Sequence, residues 1–172
     1  MRTKRDTLER GFSLVEMLLY LGILSIISSA LVLTGNALMR NYIRIAATED
    51  VMESGSVALE RMTREVRFAG AIDLAHSTLN SNPGVLTLLT FDASGSPTTV
   101  AFSLSGGRLM MTLGTNAPTP LTKTGITVTN LQFTRAVSAQ TEGVGIALTL
   151  ERISNAGTTT KQFETFVVED RS

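Results

Sequence analysis

The chain of 172 residues contains no cysteine, no tryptophan, one histidine and no excess of charge of either sign. Without cysteine there is neither a disulfide framework nor a thiolate zinc site. Fifteen basic residues balance fifteen acidic ones, so no bulk electrostatic pull toward nucleic acid or an acidic surface follows. With His76 as the sole imidazole, nucleophilic triads and histidine metal sites are hard to build, and its place suggests a surface or capping role. Beyond residue 70 the carboxylates Asp73, Asp92, Glu142, Glu151, Glu164, Glu169 and Asp170 are scattered. The basic residues there are dispersed and not interleaved with aromatics, so no nucleic-acid stripe is evident. "FDASGSP" (91–97) offers Asp92 and Ser94 as oxygen donors but lacks the further acids of a calcium loop. Gly106-Gly107 reads as a turn and not as a phosphate cradle. No catalytic, metal or cofactor-binding residues are expected, and an enzyme is the wrong class.

Long polar runs are also missing at the amino terminus. After the leader MRTKRDTLER, with four basic residues against two acidic, the segment Phe12 to Leu33 carries Glu16 as its only charge. At ~1.5 Å per residue its 22 residues form a helix of roughly 33 Å, enough to cross a hydrocarbon core of about 30 Å. The basic leader favours a cytoplasmic amino terminus and an extracytoplasmic remainder, although Arg40 and Arg44 beyond the segment weaken that bias. Ser25 and Ser29, at small-xxx-small spacing, would permit close helix approach.

Glu16 discriminates among three readings. A secretory signal cleaved near "SSAL" (28–31) would not hold an acid inside its apolar core. A plain membrane anchor leaves the acid unexplained, at a cost on the order of 2.5–3.5 kcal/mol deep in a bilayer and less near an interface. The third reading cuts the chain between Gly11 and Phe12. Phe12 then begins a helix with a positive α-amino group, and Glu16 lies one turn in, where the helix dipole favours negative charge. A neighbouring subunit's Phe12 amine can pair with that carboxylate and fix the axial register of adjacent helices.

The stretch "RGFSLVEMLLYLGILS" resembles the type III signal of type IV pilins and type II secretion pseudopilins: a basic leader, glycine, a cleavage point, phenylalanine, and glutamate four residues on. Gly11, Phe12 and Glu16 match it residue by residue. The resemblance implies removal of residues 1–11 by a prepilin peptidase, N-methylation of Phe12, and assembly with other pilin or pseudopilin subunits through an inner-membrane assembly platform. It places the chain in the inner membrane, in contact with lipid, before incorporation into a pilus or pseudopilus. "LERMTREVRFAG", "VTNLQFTR", "GIALTLER" and "FETFVV" are similar in order and spacing to PilW-type minor pilins and J-type pseudopilins. Absence of proline from the helix and of a carboxy-terminal cysteine pair favours a minor over a shaft subunit. The rival is an anchored or secreted β-domain binding protein that never polymerises.

Past Gly35 the pattern becomes amphipathic. Leu38, Ile45, Met52, Leu59 and Val66 recur every seven residues, with Met62 and Ala69 alongside. We expect this seam to pack on the chain's own globular domain, with an intermolecular coiled coil as the alternative. "SGS" (54–56) predicts a bend and Gly70 a stop. Residues 71–172 predict six strands: 85–91, a hairpin pairing Val100, Phe102 and Leu104 with Leu109, Met111 and Leu113, a segment over 126–137 with a bulge at Asn130, "VGIALTLERI", and "KQFETFVVE". The expected fold is α+β and pilin-like: leader 1–11, transmembrane helix 12–35, amphipathic helix 36–70, and an antiparallel β-sheet domain over 71–172.

Overall fold

The computed structural model describes residues 13–137 and 142–168. One helix, α1 (Leu14–Phe68), runs without interruption through 55 residues. Ser13 accepts its first backbone bond, from the Met17 amide at 3.1 Å. With no proline before Pro83, nothing in this stretch removes a donor from the ladder. The chain separates at Asn41/Tyr42 into two compact units. In the first, every described residue of α1 is exposed.

In the second unit the rest of α1 packs against antiparallel sheets. The six expected strands are present as β2 (Leu86–Phe91), β3 (Pro97–Ser105), β4 (Arg108–Leu113), β6 (Thr127–Val137), β7 (Glu142–Ser154) and β8 (Gly157–Val168). Two-residue strands β1 (Ala71–Ile72) and β5 (Thr119–Pro120) had no signal in the sequence, because a pair of residues carries no alternation. The expectation of a single sheet needs correction. There are two, in the order β1-β2-β3-β4-β5 and β6-β7-β8. β5 occupies the edge of β4 that β6 would have used. The free edge of β6 is met instead by the loop before β2: Gly84 donates to the Leu131 carbonyl and Asn80 to that of Phe133, both at 2.7 Å, and Asn82 Oδ1 accepts from the Leu131 amide at 3.1 Å. Among the described residues one backbone hydrogen bond joins the sheets, from the Val128 amide to the carbonyl of Gly107 in the β3/β4 turn at 2.8 Å.

The registers follow the alternation. Val100 faces Leu113, Phe102 faces Met111 and Leu104 faces Leu109 across a turn in which Gly106 and Gly107 take φ of 57° and 73°. β6 shifts register between Val128 and Asn130, the expected bulge. Val144, Ile146, Leu148 and Leu150 line one buried face of β7. They share a single core with Leu86, Leu88, Phe102, Leu131 and Phe133 from the strands and Val51, Ala58, Met62 and Val66 from α1.

The helix meets that core with the later part of the expected seam and with a rotated face before it. Buried positions are Ala47, Val51, Ser54, Gly55, Ala58, Met62 and Val66. Of the expected face, Met62, Val66 and Ala69 are buried and Leu59 packs at the margin, while Leu38, Ile45 and Met52 are 65, 59 and 46% exposed. Size explains the rotation. Small residues at 47, 54, 55 and 58 let the sheets approach the backbone, which the bulkier seam would hold off. The expected bend at "SGS" is likewise replaced by unbroken helix, since Gly55 is where the Phe163 ring of β8 lies against the backbone.

Candidate functional site: the amino-terminal helix

Two of the three residues singled out in the sequence, Gly11 and Phe12, lie outside the described residues. Glu16 is in the first turn of α1. Ser13, Leu14 and Val15 precede it, so it is the third helical residue, where unpaired backbone amides and the helix dipole favour a carboxylate. It is exposed and has no cation within ion-pair distance among the described residues. The Tyr20 hydroxyl, one turn further on, donates to Glu16 Oε1 at a long 3.4 Å. The sequence analysis did not single out Tyr20, although its i,i+4 spacing from Glu16 is a readable signal.

From Leu14 onward α1 is long and apolar enough to cross a membrane, and its most apolar window has none of its surface buried. Fourteen large apolar side chains between Leu14 and Leu33 are about half to three-quarters exposed. A contiguous apolar surface of this size demands lipid or protein around it. Ser29 and Thr34 turn their hydroxyls back to the carbonyls of Ser25 and Ala30, at 2.8 and 2.9 Å. This satisfies both donors within the helix, as a low-dielectric setting requires. Ser29 is therefore engaged with its own helix, and as a small residue it still leaves room for a neighbour.

Beyond Asn41 the charges of α1 fall into two classes. Asp50 pairs with Arg152 of β7 and, at 3.7 Å, with Lys123. Glu53 pairs with Lys123 at 2.6 Å, Glu60 with Arg64 at 2.9 Å, and Glu65 with Arg61 at 2.8 Å. Lys123 also donates its backbone amide to the Ser54 hydroxyl at 3.2 Å, so the loop before β6 is held to the helix by three contacts. Arg44, Glu49 and Arg67 have no such partner among the described residues, and all three are exposed.

The globular unit offers little chemistry. His76 lies in the loop after α1, as expected. Its Nδ1 is 2.7 Å from Asp73 Oδ2, and that hydrogen bond, with the Ala75 and His76 amides on Oδ1, holds the Asp73 carboxyl below its ordinary pKa. Asp92 is engaged by its own loop. The Ser94 hydroxyl (2.6 Å), the Ser96 amide (2.9 Å) and the Ser94 amide (2.8 Å) all reach Oδ1 and lower its pKa. The oxygen that a calcium ion would need is thus already an acceptor for three donors, and no group of three metal-ligating side chains occurs among the described residues. Glu142, read as one scattered acid, is in fact buried and paired with Arg135 across the β6/β7 end. Nothing in its sequence spacing announced the pair.

Comparison with known proteins bears on the amino-terminal segment. Residues 7–32 match the family model described as the prokaryotic N-terminal methylation motif. No curated protein and no solved structure matches the chain. The match covers Gly11, Phe12 and Glu16 together with the apolar half of the helix. Residues 7–32 of this chain thus carry the prokaryotic N-terminal methylation motif, at the start of a long helix that packs on antiparallel β-sheets in a pilin-like α+β arrangement.

Proposed function

We propose that the chain is a minor pilin or pseudopilin: a subunit held in the inner membrane, processed by a prepilin peptidase between Gly11 and Phe12, N-methylated on Phe12, and then built into or starting a filament. The observation that carries this reading is an acid, Glu16, with no cation at ion-pair distance among the described residues, in the exposed apolar start of α1 that the matched motif includes. In the membrane the helix surface faces lipid. In the filament it faces neighbouring helices of similar polarity, so exchange of one environment for the other costs little. Pairing Glu16 with the Phe12 amine of the next subunit supplies the specificity that apolar contact lacks, because an unpaired buried carboxylate is strongly disfavoured. Residues 1–11 would be the leader, 12–35 the membrane segment, 36–70 the amphipathic continuation and 71–172 the exported domain. Absence of proline from α1 and of cysteine from the chain supports a minor subunit.

Replacing Glu16 tests the reading. We expect Glu16→Ala to insert in the inner membrane at the wild-type level while its recovery in sheared filaments falls at least tenfold. Equal recovery of the variant would refute the pairing role and favour an anchored domain that does not polymerise.

A further inference from the structure

Of the outer edges of the two sheets, three are closed. β1 and β5 are each two residues long, and β5 ends in Pro120, which has no amide to offer. The outer side of β6 is occupied from Val128 to Phe133 by the Gly107 carbonyl and by Asn80, Asn82 and Gly84. β8 is the exception. Its 12 residues pair with β7 in an unbroken register, a length of about 40 Å without bulge or proline. Ser154 and Gly157 close a two-residue turn as a hydrogen-bonded pair, and such pairs recur at every second residue. The amides and carbonyls of Thr158, Thr160, Gln162, Glu164 and Phe166 therefore point away from β7, and all five residues are exposed. Among the described residues no hydrogen bond reaches that side of the strand. A row of donors and acceptors at this spacing is matched by the backbone of another extended strand.

Two side chains of β8 determine which strand can fit. Glu164 stands opposite Ala147, on the face that Gly145 shares, whereas Lys161 stands opposite Leu150, on the face that carries the core. Both are exposed and neither has an oppositely charged partner among the described residues. The Gln162 side-chain amide donates to Glu164 Oε1 at 2.6 Å but brings no charge. A second copy of this chain cannot supply what they lack. Its one long bare edge is β8 again, and in an antiparallel pair directly opposed side chains share a face. Because Glu164 and Lys161 lie on opposite faces, β8 against β8 never sets the acid of one copy opposite the lysine of the other.

We propose that the free edge of β8 is a docking surface for an extended strand of a different protein, added antiparallel as the fourth strand of the β6-β7-β8 sheet. Every pairing in that sheet is already antiparallel, the more stable mode per residue. The added strand carries a lysine or arginine opposite Glu164, a carboxylate three residues further on opposite Lys161, and an apolar side chain against Phe166, which is 57% exposed. Gly145 and Ala147 add no bulk beside Glu164, and the shallow cavity there, about 160 Å³, leaves room for the stem of a basic side chain reaching that acid. The two charges discourage like strands and admit the one with the opposite pattern. This surface lies wholly on the globular unit and stands whether or not Glu16 pairs.

The probe is a blocked seven-residue peptide, Val-Thr-Lys-Thr-Thr-Glu-Thr, which in antiparallel register runs from opposite Phe166 to opposite Thr160. Its control exchanges the lysine and the glutamate. Binding of the labelled peptides to the full-length chain in detergent is followed by fluorescence anisotropy. The wild type should bind the probe saturably and about tenfold more tightly than the control, because two opposed charge pairs change sign. The Lys161→Glu/Glu164→Lys double variant should invert that preference, which a damaged fold would not. Hydrogen exchange then locates the contact. The Thr160, Gln162 and Glu164 amides should exchange freely in the unliganded chain and slow by about tenfold or more with saturating probe, while the Thr159 and Lys161 amides, bonded to β7, are protected throughout. Absence of saturable binding, equal affinity for the two peptides, a preference that the double variant does not invert, or no gain of protection on β8 would overturn the proposal. So would protection of the outward amides without peptide in a chain that sediments as a dimer, because the occupant would then be a second copy.

Discussion

Gly55 offers the sharpest test of how α1 meets its domain. A Cβ placed there would overlap the Cζ and Cε2 atoms of Phe163, whose half-buried ring lies against the helix backbone. Two effects of Gly55→Ala oppose each other. Alanine favours the helix over glycine by about 1 kcal/mol, and overpacking a fitted contact costs about 1–3 kcal/mol. The net change in the wild-type background is thus a destabilisation of about 0–2 kcal/mol, a fall in Tm of up to roughly 8 °C at the about 2–4 °C per kcal/mol expected for a chain of this length. Once Phe163→Ala has removed the ring, only the helical gain remains, and the same Gly55→Ala should raise Tm by about 2–4 °C. The coupling between the two positions is therefore about 1–3 kcal/mol, independent of the propensity used. Thermal melts of the four full-length proteins in detergent, followed by circular dichroism, measure it. A shift of the same sign and size in both backgrounds would refute the packing argument.

Other expectations concern charge and processing. Asp92 and Asp73 have folded pKa values below the ordinary 3.8, so the stabilisation they contribute is complete above about pH 4 and is lost as pH falls through the depressed values. Hydrogen exchange at the Ser94 and Ser96 amides, corrected for intrinsic rates, should therefore accelerate below that pH in the wild type and be fast at all pH in Asp92→Ala. Pre-acidified wild type with unchanged protection would contradict this. Asp50→Asn removes the charge that Arg152 and Lys123 share. Because these groups are partly exposed, the loss should be about 0.5–1 kcal/mol in denaturant titrations and should shrink in 1 M salt. Gly11→Leu should accumulate the uncleaved form on a gel, and a mature-sized band at wild-type intensity would argue against cleavage after Gly11.

Much of the fold was legible because alternation over six or more residues leaves few other options. Val144, Ile146, Leu148 and Leu150 declared their strand, and the phase change at Asn130 declared its bulge. The helix was legible in extent and, through Met62, Val66 and Ala69, only in part in orientation. Large apolar residues every seven positions look like a core face, yet the sheets chose the side with Ala47, Ser54, Gly55 and Ala58, where close approach is sterically open. Periodicity counts apolar residues, whereas packing depends on shape, and a hydropathy pattern carries little of the latter. The split into two sheets was hidden for a related reason. It depends on β5, two residues long, and on the loop around Asn82, which donates and accepts along the edge of β6. At the amino terminus, one charge in an apolar run has few physical justifications and drew attention to Gly11, Phe12 and Glu16, which the matched motif spans. The Arg135–Glu142 pair, built between neighbouring strands, had no local signature.

The account depends on a new amine at Phe12, and the mass of the native amino terminus tests it most directly. Protein recovered from inner membranes and from sheared filaments, digested and read by tandem mass spectrometry, should yield a first peptide beginning at Phe12 and heavier by one methyl group. A mature chain beginning at Met1, or at Leu31 after a secretory cleavage, would contradict the account, because Glu16 would then have no Phe12 amine to meet.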